Sequence, residues 1–361
     1  MMVMQTGDIG GSRSTRRTFM SRTAASVAAV SGAGGLLSAC GSPAAEKGAA
    51  TKAAGSGTVQ VVNILPPQLG YAAEYIADMD GFFMKEGLTV KVNTARGSAP
   101  AIQAILSGTA LLSWVGWLES VIDVANQNAP LQSVAFTGRR STLAVVSDKT
   151  KKPLSKPQQF VGNRIGIPSE GGTSETTLDL MLASNGIATD KVPRQVTGFT
   201  PGTFELIKKG RIAGFVIGAS QEQQFRESQP DSMFLNTADY VTDGLNYVTS
   251  QKGLQSSSDQ IKAYMRGLKG AMEQILEDKK RGYPDTLKKL RSKYDFNELK
   301  KDSVAKAYLD FNVGSWILDG EDKLLTTDPE KWKATYDAAV KVKAAKAGVD
   351  VTKNVASGIV A

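Results

Sequence analysis

The sequence contains no histidine and only one cysteine, Cys40. The absence of imidazole excludes Ser-His-Asp triads, Cys-His pairs, HExxH zinc sites and most non-haem iron sites. A single cysteine excludes intrachain disulfides and cysteine-rich zinc or iron–sulfur centres. Long apolar runs are also scarce. The one uncharged stretch of note, Gly97 to Leu118, is interrupted by Pro100, Gln103, Gly108, Ser113 and Gly116. Its periodicity changes midway, so it reads as a buried helix followed by a buried strand. No phosphate loop or metal cluster is present, and the expectation is no catalytic residue, no metal, no cofactor and no enzyme. What remains is a chain of 361 residues, 41% hydrophobic and 22% charged, with room for two ordinary globular domains or one large one.

The N-terminus reads as an address. Thr15-Arg16-Arg17-Thr18-Phe19-Met20 matches a twin-arginine export signal, and the chain from Thr23 to Leu37 is uncharged and mildly apolar. Leu37-Ser38-Ala39-Cys40 resembles the lipobox of bacterial lipoproteins. That resemblance implies cleavage of residues 1–39, lipidation of Cys40, and anchoring at the outer face of the cytoplasmic membrane, with the twin-arginine translocase as a transient partner. Residues 40–57 are small and polar, the composition of a flexible tether. Cleavage would lower the formal charge from +8 to about +5. The remaining lysines are scattered, and no pattern calls for nucleic acid.

The body carries a weak internal repeat. Strand Val59–Leu65 ends at Pro66, and strand Arg164–Ile167 ends at Pro168. A helix with Ile102, Ile105 and Leu106 stops at Gly108 before strand Ala110–Val115, and a helix with Phe204, Leu206 and Ile207 stops at Gly210 before strand Ile212–Ile217. Glycine suits both helix ends, as does Thr200-Pro201 at a helix start, and Ser98 is expected to cap the earlier helix. Each unit reads strand–helix–strand–helix–strand, which implies right-handed crossovers and a mainly parallel sheet. The extended segments Leu143–Ser147 and Asn246–Ser250 are expected to link two lobes. Lobe 1 is then 58–143 with 250–361, and lobe 2 is 144–249. From Ser258 onward the pattern is helical, with Ile261, Tyr264, Met265, Leu268, Met272, Ile275 and Leu276 on one stripe.

Asp80-Gly81-Phe82-Phe83-Met84-Lys85-Glu86-Gly87-Leu88 resembles a turn of the nitrate/sulfonate/taurine class of ABC-transporter substrate-binding proteins, which also includes binders of thiamine-type pyrimidines. The likeness continues through Ala104–Gly108, Val161–Pro168 and Lys209–Ile212. It departs at Gly108-Thr109-Ala110 and Gly210-Arg211-Ile212-Ala213, where that class usually carries an acid. The resemblance implies a two-lobed periplasmic-binding-protein type II fold. In that fold two α/β/α lobes are joined by two hinge strands and extra helices follow at the C-terminus. It also implies a monomer whose partners are a small-molecule ligand, an ABC permease and an ATPase. A small organic anion is the first expectation for the ligand and a neutral heteroaromatic the second. A signalling lipoprotein is a rival reading. A pyrimidine-making enzyme of the same fold is disfavoured, because its histidine and cysteines are missing.

Ligands of open α/β sheets bind beyond the carboxyl ends of strands, near helix starts where free N–H groups favour anions. That rule selects Gln68 and Leu69, then Arg96 and Gly97, then Trp114 and Trp117. In the second lobe it selects Ser169, Gly172, Thr173 and Ser174, then Gly218 and Ala219. The hydroxyls of Thr173 and Ser174 either meet ligand or cap a helix. Each tryptophan is either an apolar wall for a ligand or part of the core. Arg96, Arg139 and Arg140 are candidates for pairing with a sulfonate or carboxylate.

Overall fold

The computed structural model describes residues 55–360 apart from Ser169 and Phe199, so the export signal and Cys40 lie outside the described residues. The strands are β1 (Gly57–Asn63), β2 (Leu88–Thr94), β3 (Leu112–Gly116), β4 (Leu131–Gly138), β5 (Leu143–Asp148), β6 (Ile165–Ile167), β7 (Arg194–Val196), β8 (Gly214–Gly218), β9 (Ser232–Asn236) and β10 (Leu245–Ser250). The helices are α1 (Ala72–Met79), α2 (Phe82–Lys85), α3 (Ser98–Leu106), α4 (Trp117–Gln127), α5 (Thr173–Ser184), α6 (Phe204–Lys208), α7 (Glu222–Ser228), α8 (Gln251–Lys279), α9 (Pro284–Lys293), α10 (Asp302–Trp316) and α11 (Pro329–Lys341).

Two sheets result, ordered β2-β1-β3-β10-β4 and β7-β6-β8-β5-β9. In each, one strand runs against its neighbours, β10 in the first and β5 in the second. The reversed strand follows from the crossing between lobes. The chain leaves lobe 1 at the carboxyl end of β4 and enters lobe 2 with Leu143 paired to Gly218, at the carboxyl end of β8. It returns with Leu245 paired to Gly116, at the carboxyl end of β3. The carboxyl ends of both sheets therefore face the crossings, and this defines the cleft. Leu143–Ser147 and Asn246–Ser250, expected as the connections, are instead strands inside the sheets. The crossings are the short segments 139–142 and 237–244, tied together by Ser141 Oγ and Thr237 Oγ1 at 2.8 Å. The lobe boundary on the return falls before Leu245, not after Thr249.

Strand alternation divides the first lobe into two packing faces. Val59 and Val61 pack with α1, α8, α9 and α10, while Val62 packs with α3, α4 and α11. The stripe expected on α8 is buried throughout, from Ile261 to Leu276. Burying a side chain of this size stabilises by about 1.5–3 kcal/mol, which fixes α8 against α1 and α2. Gly108 and Gly210 both have left-handed backbones, φ 76° and 68°, as expected of glycines that stop helices.

Candidate ligand site between the lobes

The lobes meet where three helix starts converge. Thr173, the first residue of α5, lies over Gly116 so closely that a Cβ there would sit 3.0 Å from its methyl carbon. A side chain at Gly116 would press Thr173 back by a few tenths of an ångström. Thr173 Oγ1 donates to Glu119 Oε2 in the first turn of α4 and lies 2.9 Å from Ser98 Oγ, the first residue of α3. Neither hydroxyl caps its own helix: the cap positions are Gly97 and Gly172, without side-chain bonds. Both are turned into the seam instead.

Glu119 is 7% exposed, and its second oxygen, Oε1, has no partner among the described residues. Burial pushes its carboxyl up to about 7; the neighbouring acids Asp243 and Asp123 add to the shift, and bonds from Ser98 and Thr173 oppose it. Asp243, in the return crossing, is raised to about 7 by burial, against amide bonds from Gly244 and Leu118. It caps the start of α4 through Leu118 N–H at 3.1 Å.

Helix α10 lines another part of the seam. Its Tyr308 donates to Gln68 Oε1 at 2.7 Å, a bond within lobe 1. Helix α10 also reaches α7, where Lys301 and Ser303 hold Glu227, whose carboxyl these bonds depress to about 2. The Arg140 guanidinium lies 4.7 Å over Phe311 of the same helix. On the lobe 1 side, Trp114 stands edge-on to Tyr71 at 5.1 Å and donates from Nε1 to Thr137 Oγ1 at 2.7 Å. These residues, with Thr142 of the outgoing crossing, Leu245, Asn312 and Ser315, border a lobe 1 cavity of about 30 Å³, and Asn312 Nδ2 is without a partner among the described residues. A benzene-sized ring needs about 150 Å³, so this cavity holds no ring as it stands.

The expected site residues divide accordingly. Thr173, with Gly172 before it, stands at the seam, while Gln68 bonds Tyr308 and Trp114 lines the lobe 1 cavity beside the crossing. Gly97 starts α3 beside the seam, its N–H on Ile64 O. Gly218 ends β8 with its N–H on Gln221 Oε1. Ser174 sits in the first turn of α5 without a capping role, Arg96 is exposed, and Ser169 lies outside the described residues. Four expectations need correction. Leu69 is fully buried in the lobe 1 core, and Ala219 is buried in the lobe 2 core, offering only its N–H, which bonds Thr142 O. Trp117 is 1% exposed and packs on Phe136 at 4.2 Å, because it starts α4 rather than continuing β3. Arg139 is committed to Asp319 at 3.0 Å and to the carbonyls of Lys323 and Thr326, so it anchors the C-terminal segment.

Glu119, Tyr308 and Asn312 were missed. Glu119 sits on a helix whose pattern alone places it on a polar face, and the C-terminal helices show no motif. Among the described residues, no His, Cys, Asp and Glu group could hold a metal, and no helix is long and apolar enough to cross a membrane.

Two mixed α/β lobes with facing strand ends, crossed twice by the chain and closed by side-chain bridges, define the periplasmic-binding-protein type II class of fold. Within it the chain belongs to the NMT1/THI5-like family, whose sequence profile matches residues 68–281. It is 25% identical over 227 residues to the formylaminopyrimidine-binding protein of Halalkalibacterium halodurans, covering 61% of this chain and 67% of that one. It is 25% identical over 250 residues to the riboflavin-binding protein RibY of Chloroflexus aurantiacus, covering 64% and 70%. The alkanesulfonate-binding protein SsuA of Xanthomonas axonopodis pv. citri, solved with MOPS, superposes with a TM-score of 0.65 over 84% of this chain and 98% of its own, at 13% identity. At that identity the likeness carries the fold alone.

Proposed function

We propose that this solute-binding protein of ABC importers captures a neutral, nitrogen-bearing heteroaromatic between its lobes and delivers it to a membrane permease and its ATPase. The observation that carries the reading is Trp114. Of the two tryptophans at the end of β3, it alone lines the lobe 1 cavity beside the outgoing crossing, with Tyr71 next to it as a second ring. Aromatic rings of this kind bury a flat ligand well. Asn312 adds an unused donor at the same cavity. The relatives named for formylaminopyrimidine and riboflavin support the same ligand class. The organic-anion reading is weakened because Arg139 is committed to Asp319 and Arg96 is exposed, which leaves Arg140, stacked over Phe311, as its one remaining arginine.

Capture works by closure. The open form exposes Trp114, and the lobes swing on segments 139–142 and 237–244. The Thr173–Glu119 bond and the bonds of Lys301 and Ser303 to Glu227 then form as the lobes meet. In the same proposal, twin-arginine export and lipidation of Cys40 hold the body at the outer face of the membrane. A Cys40→Ser protein is expected in the soluble fraction after cell breakage, with the native protein in the membrane fraction.

Calorimetry of the purified protein against formylaminopyrimidine, riboflavin, butanesulfonate and nitrate tests the ligand class. The reading predicts binding of at least one heteroaromatic and none of the anions; binding of the anions alone contradicts it.

A further inference from the structure

Three helix starts pointing at one place make a position that attracts a negative group, because their leading N–H groups and dipoles sum there. In this protein the position is not left for a solute. Glu119 stands in it, with hydroxyl groups from the first residues of α3 and α5 turned toward its carboxyl and its own helix beginning two residues earlier. Asp243 serves the first amides of α4. The other charges bearing on Glu119 are the acids Asp243 and Asp123, so an arriving anion would meet like charge. The carboxyl is also incompletely used. Oε2 takes the Thr173 proton, while Oε1, equally buried, has no donor. An unfilled acceptor inside a closed seam is destabilising, more so when charged, and a donor from a bound molecule would relieve it.

We infer that Glu119 is a specificity-determining residue of the cleft: its free Oε1 accepts an N–H donor from the bound molecule, and its carboxylate holds the anion position formed by α3, α4 and α5. The first half rests on the heteroaromatic reading and narrows it to rings that carry an amino or ring N–H group. The second half stands independently of that reading. The raised carboxyl, about 7 in the shut seam, adds that the acceptor is half charged at neutral pH and mostly charged at pH 8.

The experiment has two arms, both on the purified protein at pH 8. In the first, calorimetry compares 4-amino-2-methylpyrimidine, which donates, with 4-methoxy-2-methylpyrimidine, which only accepts. The native protein is expected to prefer the amino ring by about ten- to hundredfold. In Glu119→Gln the side-chain oxygen stays on Thr173 and its NH₂ turns to the ligand, so the preference reverses. Equal affinity for the two rings in the native protein, or an unchanged preference in Glu119→Gln, overturns the donor assignment. The second arm needs no heteroaromatic. Sulfate and butanesulfonate are titrated into the native protein and Glu119→Ser, following melting temperature and intrinsic fluorescence. The variant is expected to bind these anions about tenfold or more tightly than the native protein. Equal binding by both proteins, or tighter binding by the native one, overturns the anion-position assignment. If neither ring binds the native protein while the second arm succeeds, the heteroaromatic reading and the donor half have failed and the anion-excluding role stands.

Discussion

Replacing Thr173 with valine keeps the shape of the side chain and removes one hydroxyl, the group that joins α5 of lobe 2 to Glu119 of lobe 1. That bond exists only while the lobes are together. A bond to a charged group contributes about 1.5–3 kcal/mol and a neutral one about 1 kcal/mol. At 1.4 kcal/mol per tenfold, Thr173→Val is expected to weaken ligand affinity about ten- to hundredfold at pH 8. The loss enters through the smaller fraction of closing-competent protein. It should shrink to about fivefold at pH 5.5, because Glu119 in the shut seam gains its proton as pH falls through about 7. Thr173→Ser retains the hydroxyl and most of the affinity, and Ser174→Ala, one residue along, leaves it unchanged. Calorimetry at the two pH values with the tightest heteroaromatic found, and small-angle scattering for the closed fraction, measure this. Affinity for Thr173→Val within about twofold of native at pH 8 would refute the idea that this contact closes the seam.

Three further outcomes are expected. Trp117→Ala should cost about 3–5 kcal/mol of stability by urea unfolding, as a large core deletion does, whereas Trp114→Ala should lower ligand affinity with a smaller stability loss. Arg139→Ala leaves Asp319 and two carbonyls without their buried partner and is expected to destabilise by about 3 kcal/mol. Stability should fall as pH rises from about 4 to about 7 and level off above, because Glu119 and Asp243 hold protons to about 7 when folded and release them near 4 when unfolded. Asp243→Asn should flatten part of that slope in urea midpoints measured across the range.

Much of the fold was legible because it rests on local patterns. The α8 stripe, the glycines after α3 and α6, and the strand–helix–strand repeat each follow from periodicity or backbone freedom within a few residues. The lobe exchange was not, because β10 has the same local signature as an extended connection, and only its pairing with β3 and β4 shows otherwise. At the candidate site, the rule of strand carboxyl ends selected Thr173, which the structure places across from Glu119, along with Gln68 and Trp114, whose contacts lie within lobe 1. It also selected Leu69, Trp117 and Ala219, whose positions along the chain are right and whose side chains turn inward. Glu119, Tyr308 and Asn312 escaped because their significance arises only when helices distant in sequence meet.

The account stands most directly on a scattering titration. Small-angle X-ray curves of the purified protein, recorded with increasing formylaminopyrimidine or riboflavin and in parallel with butanesulfonate, report whether the lobes close and on what. The expected result is a saturable fall in radius of gyration with a heteroaromatic and none with the sulfonate. Contraction with the sulfonate alone, or a radius indifferent to every solute, would contradict it.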